Sequence, residues 1–439
     1  MMFKAGFSQC TITPEVDLCM GGYRLRRGTA LGTHDDLKAT CSAFSDGSTD
    51  LMFISLDMLC LSQDLIDVIK LEINEHTGLS PQHILIACTH THSGPDTIRL
   101  SGGGEQIERY LSGLVAKVIS LVEEASSRME NVKVSYLITD VNEVAFNRRL
   151  LLKDGSYAIN IDYVEEWNIK SRGDTDPAAC AILFENESGV SGVIVNFTLH
   201  PTVLGEDNYT YSRDYPGYLV DSLSEAIPGG PVVSFFNGAF GNINQIRRPG
   251  EWIATFEEAR RIGETIAGML INNLDQRITI EKPAIKASRM KINIPRRAAV
   301  PMTEPHAGKQ PAAANRRDLH ASGSTFLTPE KERLYAIEAS TLTDLVSDTV
   351  ELQLFRMGPM EIIALPGEIF VEYGLELKRR SGEFHCLVFG NSNGYIGYVP
   401  TREAFGEGGY ETRLSLSSRL VPEAGEIILE TIDQMRETL

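Results

Sequence analysis

The sequence has no Cys-x-x-Cys pair and no apolar stretch close to the roughly 20 residues that a membrane-spanning helix needs. Its seven cysteines are scattered and odd in number, which argues against a disulfide framework and against a structural zinc knuckle. The first residues lack the apolar core and cleavage site of a secretory signal. We therefore expect a cytoplasmic protein without a transmembrane segment, and secretion only if a leader has been removed.

Positive charge is also in short supply. The chain has 41 lysines and arginines against 59 aspartates and glutamates, so its formal net charge is −18. Such a surface repels phosphate backbones and anionic lipids, which excludes nucleic-acid binding as the main function. A hydrophobic fraction of 42% and a charged fraction of 23% are those of an ordinary globular protein. The expected partner is a small molecule, and assembly into a homo-oligomer is left open.

Short apolar runs rich in β-branched residues alternate with amphipathic segments. Unbroken apolar runs are typical of strands covered on both faces, and apolar residues at three- and four-residue spacing are typical of helices. We predict an α/β fold with a large parallel or mixed β-sheet core flanked by helices, and we find no internal repeat. The predicted strands are Leu51–Leu56, His83–Ala87, Ser191–Phe197, Pro231–Phe236, Glu361–Leu365 and Cys386–Phe389. The predicted helices are Ser62–Glu75, Glu105–Glu124, Phe256–Leu274, Pro329–Asp348 and Pro422–Thr438.

One composition shift interrupts this alternation. The stretch from Pro295 to about Ser324 is rich in proline, alanine and arginine and almost free of large apolar side chains. We expect a long loop or an interdomain crossing there, and long loops in compact enzymes are often lids.

Polar side chains follow several predicted strands at the point where each strand ends. His90 and His92 follow the second strand, His200 follows the third, and Glu368 follows the fifth. In open α/β sheets ligands bind beyond the carboxyl ends of the strands, so these groups could converge on one crevice. Imidazole and carboxylate are zinc ligands, and a catalytic zinc keeps one position open.

Each of these residues has an alternative interpretation. His90 and His92 lie two residues apart and would project to the same face of an extended chain, so either or both could be ligands. A single histidine such as His200 is more often a hydrogen-bonded structural residue, and Pro-Gly-Glu at Glu368 is also a common turn. Asp57, at the end of the first strand, is equally suited to orienting a ligand histidine and to capping a helix.

Four sequence blocks occur in a combination that is more specific than any single residue. They are Thr89–Pro95, His200–Thr202, Pro366–Glu368 and Tyr398–Glu403, and Gly32–Asp35 and Phe146–Arg148 fit the same pattern. Together they resemble the catalytic domain of neutral (non-lysosomal) ceramidases, in the family's order and over roughly residues 5–415. The resemblance implies one catalytic domain over residues 1–439, without the C-terminal immunoglobulin-like domain of these enzymes.

The resemblance also implies a metal centre. A zinc ion would be bound by His90, His200, Glu368 and Tyr398, and His92 would remain free to assist catalysis. A tyrosine ligand is chemically reasonable, because an adjacent dication favours the ionised phenol. The implied reaction is hydrolysis of an amide (N-acyl) bond by metal-activated water.

Further residues are placed near this site by the resemblance. Arg148 would contact the substrate or the developing oxyanion. His34 and Asp35 are candidate pocket residues, for which a structural role is the alternative. The family's proposed serine nucleophile corresponds to Gly238, which follows Asn237 in the matching turn. Without a hydroxyl no acyl-enzyme can form at that position, so water should attack directly.

We therefore predict a zinc-dependent amide hydrolase whose substrate is an N-acyl lipid or a sugar-derived amide or ester. An esterase, a lactonase or a sugar-linked N-acyl hydrolase on the same metal site is the alternative among enzymes, because pocket shape decides the substrate. A non-catalytic metal-containing binding protein is the alternative of a different class. His92 and Arg148 beside four ligand positions argue against it, because a purely structural zinc site is closed.

Overall fold

The computed structural model describes residues 2–98, 104–298, 329–342 and 346–439. The composition shift predicted to be a long loop begins at the last residue of a strand, Ile285–Pro295. Residues 299–324 of that stretch lie outside the described residues.

The described residues form 23 strands and eight α-helices. In chain order the strands are β1 (Lys4–Thr11), β2 (Gly32–Thr33), β3 (Lys38–Ser45), β4 (Asp50–Leu56), β5 (Ile84–Cys88), β6 (Glu130–Asn131), β7 (Lys133–Asp140), β8 (Phe146–Asn147), β9 (Arg149–Leu152), β10 (Tyr157–Ile159), β11 (Ile169–Arg172), β12 (Ala178–Asn186), β13 (Gly189–Phe197), β14 (Thr210–Tyr211), β15 (Val232–Asn237), β16 (Ile243–Asn244), β17 (Ile278–Thr279), β18 (Ile285–Pro295), β19 (Ser347–Met357), β20 (Met360–Ala364), β21 (Glu368–Ile369), β22 (His385–Phe389) and β23 (Tyr398–Val399). The helices are α1 (Gln63–Thr77), α2 (Glu105–Ser127), α3 (Asp214–Ala226), α4 (Phe256–Ile271), α5 (Pro329–Thr341), α6 (Val371–Arg380), α7 (Arg402–Glu407) and α8 (Ala424–Thr438).

The predicted α/β class with mixed β-sheets and flanking helices is confirmed. All six predicted strands are present, as β4, β5, β13, β15, β20 and β22, each within two residues of its predicted bounds. The helix predicted to reach Asp348 is too long: it ends at Thr341, and strand β19 begins at Ser347. Helices α3, α6 and α7 were not predicted.

The long strands form three mixed sheets, and each sheet contains the same sequence of strands and helix. In each sheet a strand pairs with an antiparallel neighbour, and a helix then leads to a parallel strand at the sheet edge. These units are β3-β4-α1-β5, β12-β13-α3-β15 and β19-β20-α6-β22. The last two strands of each unit are parallel, so their carboxyl ends lie at the same end of the sheet. The predicted site residues lie just beyond these strand ends.

Helix α1 shows how the crossover helices are held in place. Ser62 caps its first turn by accepting a hydrogen bond from the Leu65 amide, and Gly78 ends it in the left-handed conformation with φ 74°. Ile66, Ile69 and Ile73 lie on one face of the helix and are buried. Burial of each isoleucine contributes about 1.5–3 kcal/mol, which fixes the helix against the first sheet.

The three sheets meet in an aromatic core. Phe236 of β15 stacks on Phe389 of β22 with ring centroids 4.4 Å apart, and Phe53 of β4 lies 6.3 Å from both rings. The Asn196 side-chain amide donates to the Phe236 carbonyl at 2.8 Å and to the Val388 carbonyl at 2.9 Å. The second and third sheets are therefore joined by a buried hydrogen-bonded bridge as well as by packing.

Each of the described helices is too short or too polar to cross a membrane.

Candidate metal centre

Three buried side chains from three strand ends meet at one point. His90 lies two residues beyond β5, His200 lies three residues beyond β13, and Glu368 opens β21 shortly after β20. The distance from Glu368 Oε2 is 3.6 Å to His90 Nε2 and 3.4 Å to His200 Nε2. Each of the three residues is at most 2% exposed. The sequence prediction that these residues converge on one crevice agrees with this geometry.

The hydrogen bonds of the two histidines fix which nitrogen faces the carboxylate. His90 Nδ1 donates to the Leu59 carbonyl at 2.8 Å, and His200 Nδ1 donates to the Phe240 carbonyl at 3.3 Å. A backbone carbonyl can only accept, so Nδ1 of each ring carries a proton. Nε2 is directed toward Glu368 and offers a lone pair when the ring is neutral, as it is in a metal ligand.

This arrangement of electron-rich atoms fits a metal ion. Zinc bonds of about 2.0–2.1 Å in a tetrahedron place the ligand atoms about 3.3 Å apart, close to the observed separations. His90 Nε2 and Glu368 Oε2 are buried without a hydrogen-bond partner in the described structure. Lone pairs that face one another in a buried space are costly unless a cation lies between them. The residues present therefore suit a divalent metal ion.

Two tyrosines complete the surroundings of Glu368. Strands β21 and β23 pair in parallel with Glu368 opposite Tyr398, so the pairing register places the phenol of Tyr398 beside the carboxylate. Tyr395 donates from its hydroxyl to Glu368 Oε1 at 2.7 Å. Although burial acts in the opposite direction, His90 and the hydrogen bonds from both tyrosines lower the pKa of Glu368. Glu368 is therefore ionised, as a metal ligand must be.

The backbone at His90 is in an uncommon conformation. Its φ of 72° lies in the left-handed region, which non-glycine residues enter at a cost of about 1–3 kcal/mol. The His90 amide donates to the Met58 carbonyl at 2.9 Å, and its ring bonds the next carbonyl, that of Leu59. These two hydrogen bonds hold His90 in the strained conformation that turns its ring toward Glu368.

His92 lies beside this group without belonging to its closest contacts. Its ring centroid is 5.1 Å from that of His90 and 5.3 Å from that of His200, and Tyr23 packs against it at 4.9 Å. Both ring nitrogens are buried without a partner among the described residues. Burial and the nearby His90 and Arg26 lower the pKa of His92 well below 6.5, so the ring is neutral. The three histidines together form a set that could hold a metal, so a non-ligand role for His92 remains a prediction.

Arg148 is held rigidly at the same cavity. Its Nε donates to Glu411 Oε1 at 2.8 Å, and its Nη2 donates to the Gly241 carbonyl. The guanidinium also lies over the rings of Tyr410 and Tyr398, at 4.9 and 5.5 Å from their centroids. Burial opposes the charge, but the surrounding tyrosines and Glu411 raise the pKa of Arg148, so it is a fixed positive charge.

These groups line one cavity of about 190 Å³. The four predicted ligands, His92 and Arg148 all contribute to its wall. Aromatic and aliphatic side chains form much of the remaining wall, and a smaller polar set completes it. The first set includes Tyr23, Leu25, Ile161, Ile246, Trp252, Leu334, Tyr335 and Tyr410, and the second includes Arg24, Thr202, Glu206, Asn244 and Gln245.

The expectation that Asp57 orients a ligand histidine is wrong. Its Oδ2 accepts a hydrogen bond from the Lys38 amide at 2.9 Å, beside a second, small cavity that Arg213 and Thr89 also line. Burial raises the pKa of Asp57 to about 6. Backbone carbonyls orient both histidines instead. The helix-cap alternative is also wrong, because Ser62 caps the helix that follows.

His34 and Asp35 do not line the cavity either. His34 Nε2 lies 2.9 Å from the Tyr218 hydroxyl, and the ring is exposed. Asp35 accepts from the Ser212 hydroxyl at 2.6 Å and pairs with Arg213 at 3.0 Å. The pocket interpretation of these two residues is therefore wrong, and the structural alternative describes them.

Asn237 and Gly238 lie behind the site. The Asn237 amide donates to the Leu199 carbonyl at 2.9 Å and to the Thr89 carbonyl at 3.4 Å, bracing the residues that precede the two histidines. A Cβ atom at Gly238 would lie 2.0 Å from Thr198 Oγ1. The position that corresponds to the family's serine therefore has no room for a serine side chain, and neither residue lines the cavity.

Two further residues at the site, Tyr395 and Glu411, were not predicted from the sequence. Tyr395 lies only three residues before Tyr398 in a glycine-rich turn, a spacing that could have suggested it. Glu411 is 263 residues from Arg148 along the chain, and no local pattern marks it.

The chain is similar in sequence to neutral ceramidases. The family described as "Neutral/alkaline non-lysosomal ceramidase, N-terminal" matches residues 3–245. The neutral ceramidase of Pseudomonas aeruginosa is 23% identical over 471 residues, covering 93% of this chain and 68% of the relative. The neutral ceramidase of Mycobacterium tuberculosis is 22% identical over 506 residues, covering 100% of this chain and 77% of the relative.

Solved structures of similar proteins share the fold. A crystal structure of neutral ceramidase from Pseudomonas aeruginosa has a TM-score of 0.73 at 18% identity, over 99% of this chain and 74% of that one. A structure titled "Ceramidase complexed with C2" has a TM-score of 0.74 at 19% identity, over 100% and 76% of the two chains.

Proposed function

Because this chain belongs to the neutral/alkaline non-lysosomal ceramidase family and is a hydrolase that acts on amide bonds, we propose that it cleaves an N-acyl amide with the help of one zinc ion. The observation that carries the proposal is the meeting of His90 Nε2, His200 Nε2 and Glu368 Oε2 in a buried cavity. Tyr398 is proposed as the fourth ligand, because the strand pairing places it directly beside Glu368.

The metal and the side chains around it would divide the work. Zinc bound to these residues would lower the pKa of bound water to about 7 and polarise the scissile carbonyl. His92, about 5 Å from both ligand rings, would take the proton of the attacking water and return it to the leaving amine. Arg148, anchored by Glu411, would stabilise the negative charge that develops on the carbonyl oxygen.

Direct attack by water also agrees with the surroundings of Gly238. Thr198 Oγ1 occupies the space that the Cβ atom of a serine would need at this position. Gly238 has no hydroxyl and the Thr198 hydroxyl donates to Asp176 Oδ2 at 3.3 Å, so the proposed hydrolysis needs no acyl-enzyme at this position.

The proposed substrate is an N-acyl lipid or a sugar-derived amide. The cavity wall is aromatic and aliphatic over much of its surface, with a polar group formed by Thr202, Glu206, Asn244 and Gln245. Apolar walls with a few placed polar groups are typical of small-molecule sites, and they suit a molecule that joins an acyl chain to a polar amine.

Hydrolysis of chromogenic acyl amides and acyl esters, with and without a chelator, tests the proposal. We expect amide turnover that the chelator removes and that zinc restores better than magnesium or calcium. Turnover that the chelator does not affect would exclude the metal mechanism. Faster cleavage of esters across the series would favour the esterase alternative, and no turnover on a broad panel would favour the binding protein.

A further inference from the structure

A second arginine contributes to the cavity wall near the proposed metal ligands. Arg24 lines the same cavity as His90 and Glu368, and its Nη1 forms an ion pair with Glu338 of helix α5. The side chains of the pair are 15% and 7% exposed. Glu338 Oε2 also accepts a hydrogen bond from the Leu416 amide at 3.2 Å. The guanidinium of Arg24 is therefore held in one orientation before any substrate arrives.

One nitrogen of this guanidinium has no hydrogen-bond partner among the described residues. This atom, Arg24 Nη2, is buried. An N–H group buried in this way is destabilising unless an acceptor reaches it, and native proteins leave few of them. Because arginine has no acceptor atom, the missing partner has to be an acceptor.

Arg26, two residues further on, shows what a purely structural arginine looks like here. Its Nε, Nη1 and Nη2 all donate to backbone carbonyls, including those of His92 at 2.8 Å and Gly205 at 3.0 Å. Both arginines come from the same loop and both are largely buried. The loop can thus satisfy an arginine completely, and the unused Nη2 of Arg24 is a property of its position at the cavity.

We propose that Arg24 Nη2 donates a hydrogen bond to a neutral oxygen of the substrate, a hydroxyl or carbonyl oxygen other than that of the scissile amide. Arg24 is then a specificity-determining residue, and this inference rests on the proposed amide hydrolysis. The neutral form follows from charge. Glu338 already balances the charge of Arg24, so the pair offers no net positive charge to a substrate carboxylate.

The role of Arg24 is distinct from that of Arg148. The Nε and Nη2 of Arg148 are used by Glu411 and Gly241, and its guanidinium lies over Tyr398, the proposed fourth ligand. Arg148 is therefore the arginine proposed to act at the reacting carbonyl. Arg24 forms an ion pair with α5, whose Leu334 and Tyr335 also line the cavity. Its Nη2 is therefore proposed to bind a second group on the substrate.

Two pairs of synthetic amides that differ only in a hydroxyl test the inference. One pair is N-octanoyl ethanolamine and N-octanoyl propylamine, and the other is 2-hydroxyoctanoyl and octanoyl propylamide. We expect the wild-type enzyme to prefer the hydroxylated member of at least one pair by about tenfold or more in kcat/KM, because a site built to bind a hydroxyl rejects the analogue that lacks it.

The variants separate the hydrogen bond from the charge. Arg24→Lys keeps a cation beside Glu338 but lacks the second nitrogen, and Arg24→Met removes both. Both should lose the preference, because kcat/KM should fall further for the hydroxylated amide than for its hydroxyl-free partner. Arg109→Met, on the exposed side of α2, is the control for lost positive charge and should keep the preference. A preference that survives in Arg24→Lys, or a wild-type enzyme with no preference in either pair, would overturn the inference.

A binding measurement keeps this test separate from that of the proposed function. If the wild-type enzyme cleaves none of the four amides, the proposed function fails, and the same compounds become ligands. Trp252 lines the cavity, so its fluorescence reports their binding to the chelator-treated protein. Weaker binding of only the hydroxylated ligand by Arg24→Lys would support the inference, and equal binding by both proteins would refute it.

Discussion

Replacement of Gly238 by serine is the sharpest test of how the site is built. A Cβ atom at this position would lie 2.0 Å from Thr198 Oγ1 and 2.9 Å from Thr198 Cβ. The backbone cannot easily move away, because the Gly238 amide donates to the Phe197 carbonyl at 2.9 Å and the Gly238 carbonyl packs against Gly390. Overpacking of this kind costs about 1–3 kcal/mol, and we expect the upper part of that range.

Urea unfolding measures this cost as a lower midpoint at an unchanged slope. Thr198→Gly removes both clashing atoms, so the double variant should recover much of the lost stability, with a coupling energy of about 1–3 kcal/mol. Gly268→Ser, at a helical glycine with no atom within 4 Å of the new Cβ, is the control and should have little effect. An unchanged midpoint in Gly238→Ser, or purely additive effects in the double variant, would refute the steric argument. A large gain in turnover would restore the serine mechanism.

Three further substitutions address the metal centre. His90→Ala should lose bound metal and activity together, measured as metal content after dialysis, whereas His76→Ala on the surface should change neither. His92→Ala should keep the metal and lose most of its turnover, and loss of the metal instead would make His92 a ligand. Tyr395→Phe removes the hydrogen bond to Glu368 and should weaken metal affinity about 10- to 100-fold in a chelator competition, and unchanged affinity would show that this contact does not tune the ligand.

Strands buried on both faces were the predictable part of the fold. Cys386–Phe389 is an uninterrupted apolar run and Leu51–Leu56 is broken only by Ser55, because each belongs to a strand enclosed by neighbouring layers. Strand β18 was not predicted from the sequence, because it carries Lys286, Arg289 and Lys291 and is partly exposed. It is a strand because β19 pairs with it over its full eleven residues, a contact that no local pattern contains.

Helix α3 was missed for a different reason. Its first residues, Asp-Tyr-Pro-Gly, have the composition of a turn. Proline is tolerated in the first turn of a helix, where its missing amide has no partner to lose. Pro216 therefore lies within the helix start, and Gly217 packs so closely on Arg213 that a larger side chain would collide with it.

The residues of the candidate site could be predicted where their type alone suggests a metal ligand. They could not be predicted where they depend on a partner that is distant in the sequence. His90, His200 and Glu368 are marked by metal-binding side chains at strand ends. The Arg24–Glu338 pair is separated by 314 residues, and each member alone is an ordinary charged residue. Asp57 was misassigned because a strand-end position is shared by site residues and by residues that brace a neighbouring strand, as Asp57 does for Lys38.

The three structural units explain how the site holds its ligands without acidic partners. His90 lies two residues beyond β5, and Asn391 lies two residues beyond β22, the equivalent strand of the third unit. Both have a left-handed backbone, with φ of 72° and 52°. Asn391 Nδ2 donates to the Leu59 carbonyl at 2.7 Å, the same oxygen that accepts from His90 Nδ1 at 2.8 Å.

Asn237 has a comparable role in the second unit, where it bonds the carbonyls of Thr89 and Leu199 just before the two histidines. The strand ends of the second and third units thus fix the backbone that orients His90. Backbone carbonyls serve as acceptors for any sequence, so the units need similar geometry but not similar residues. Three units of one connectivity can therefore lack an internal repeat in the sequence. The residues that fix the histidines are asparagines, and for this reason an acidic residue at a strand end, Asp57, was the wrong prediction.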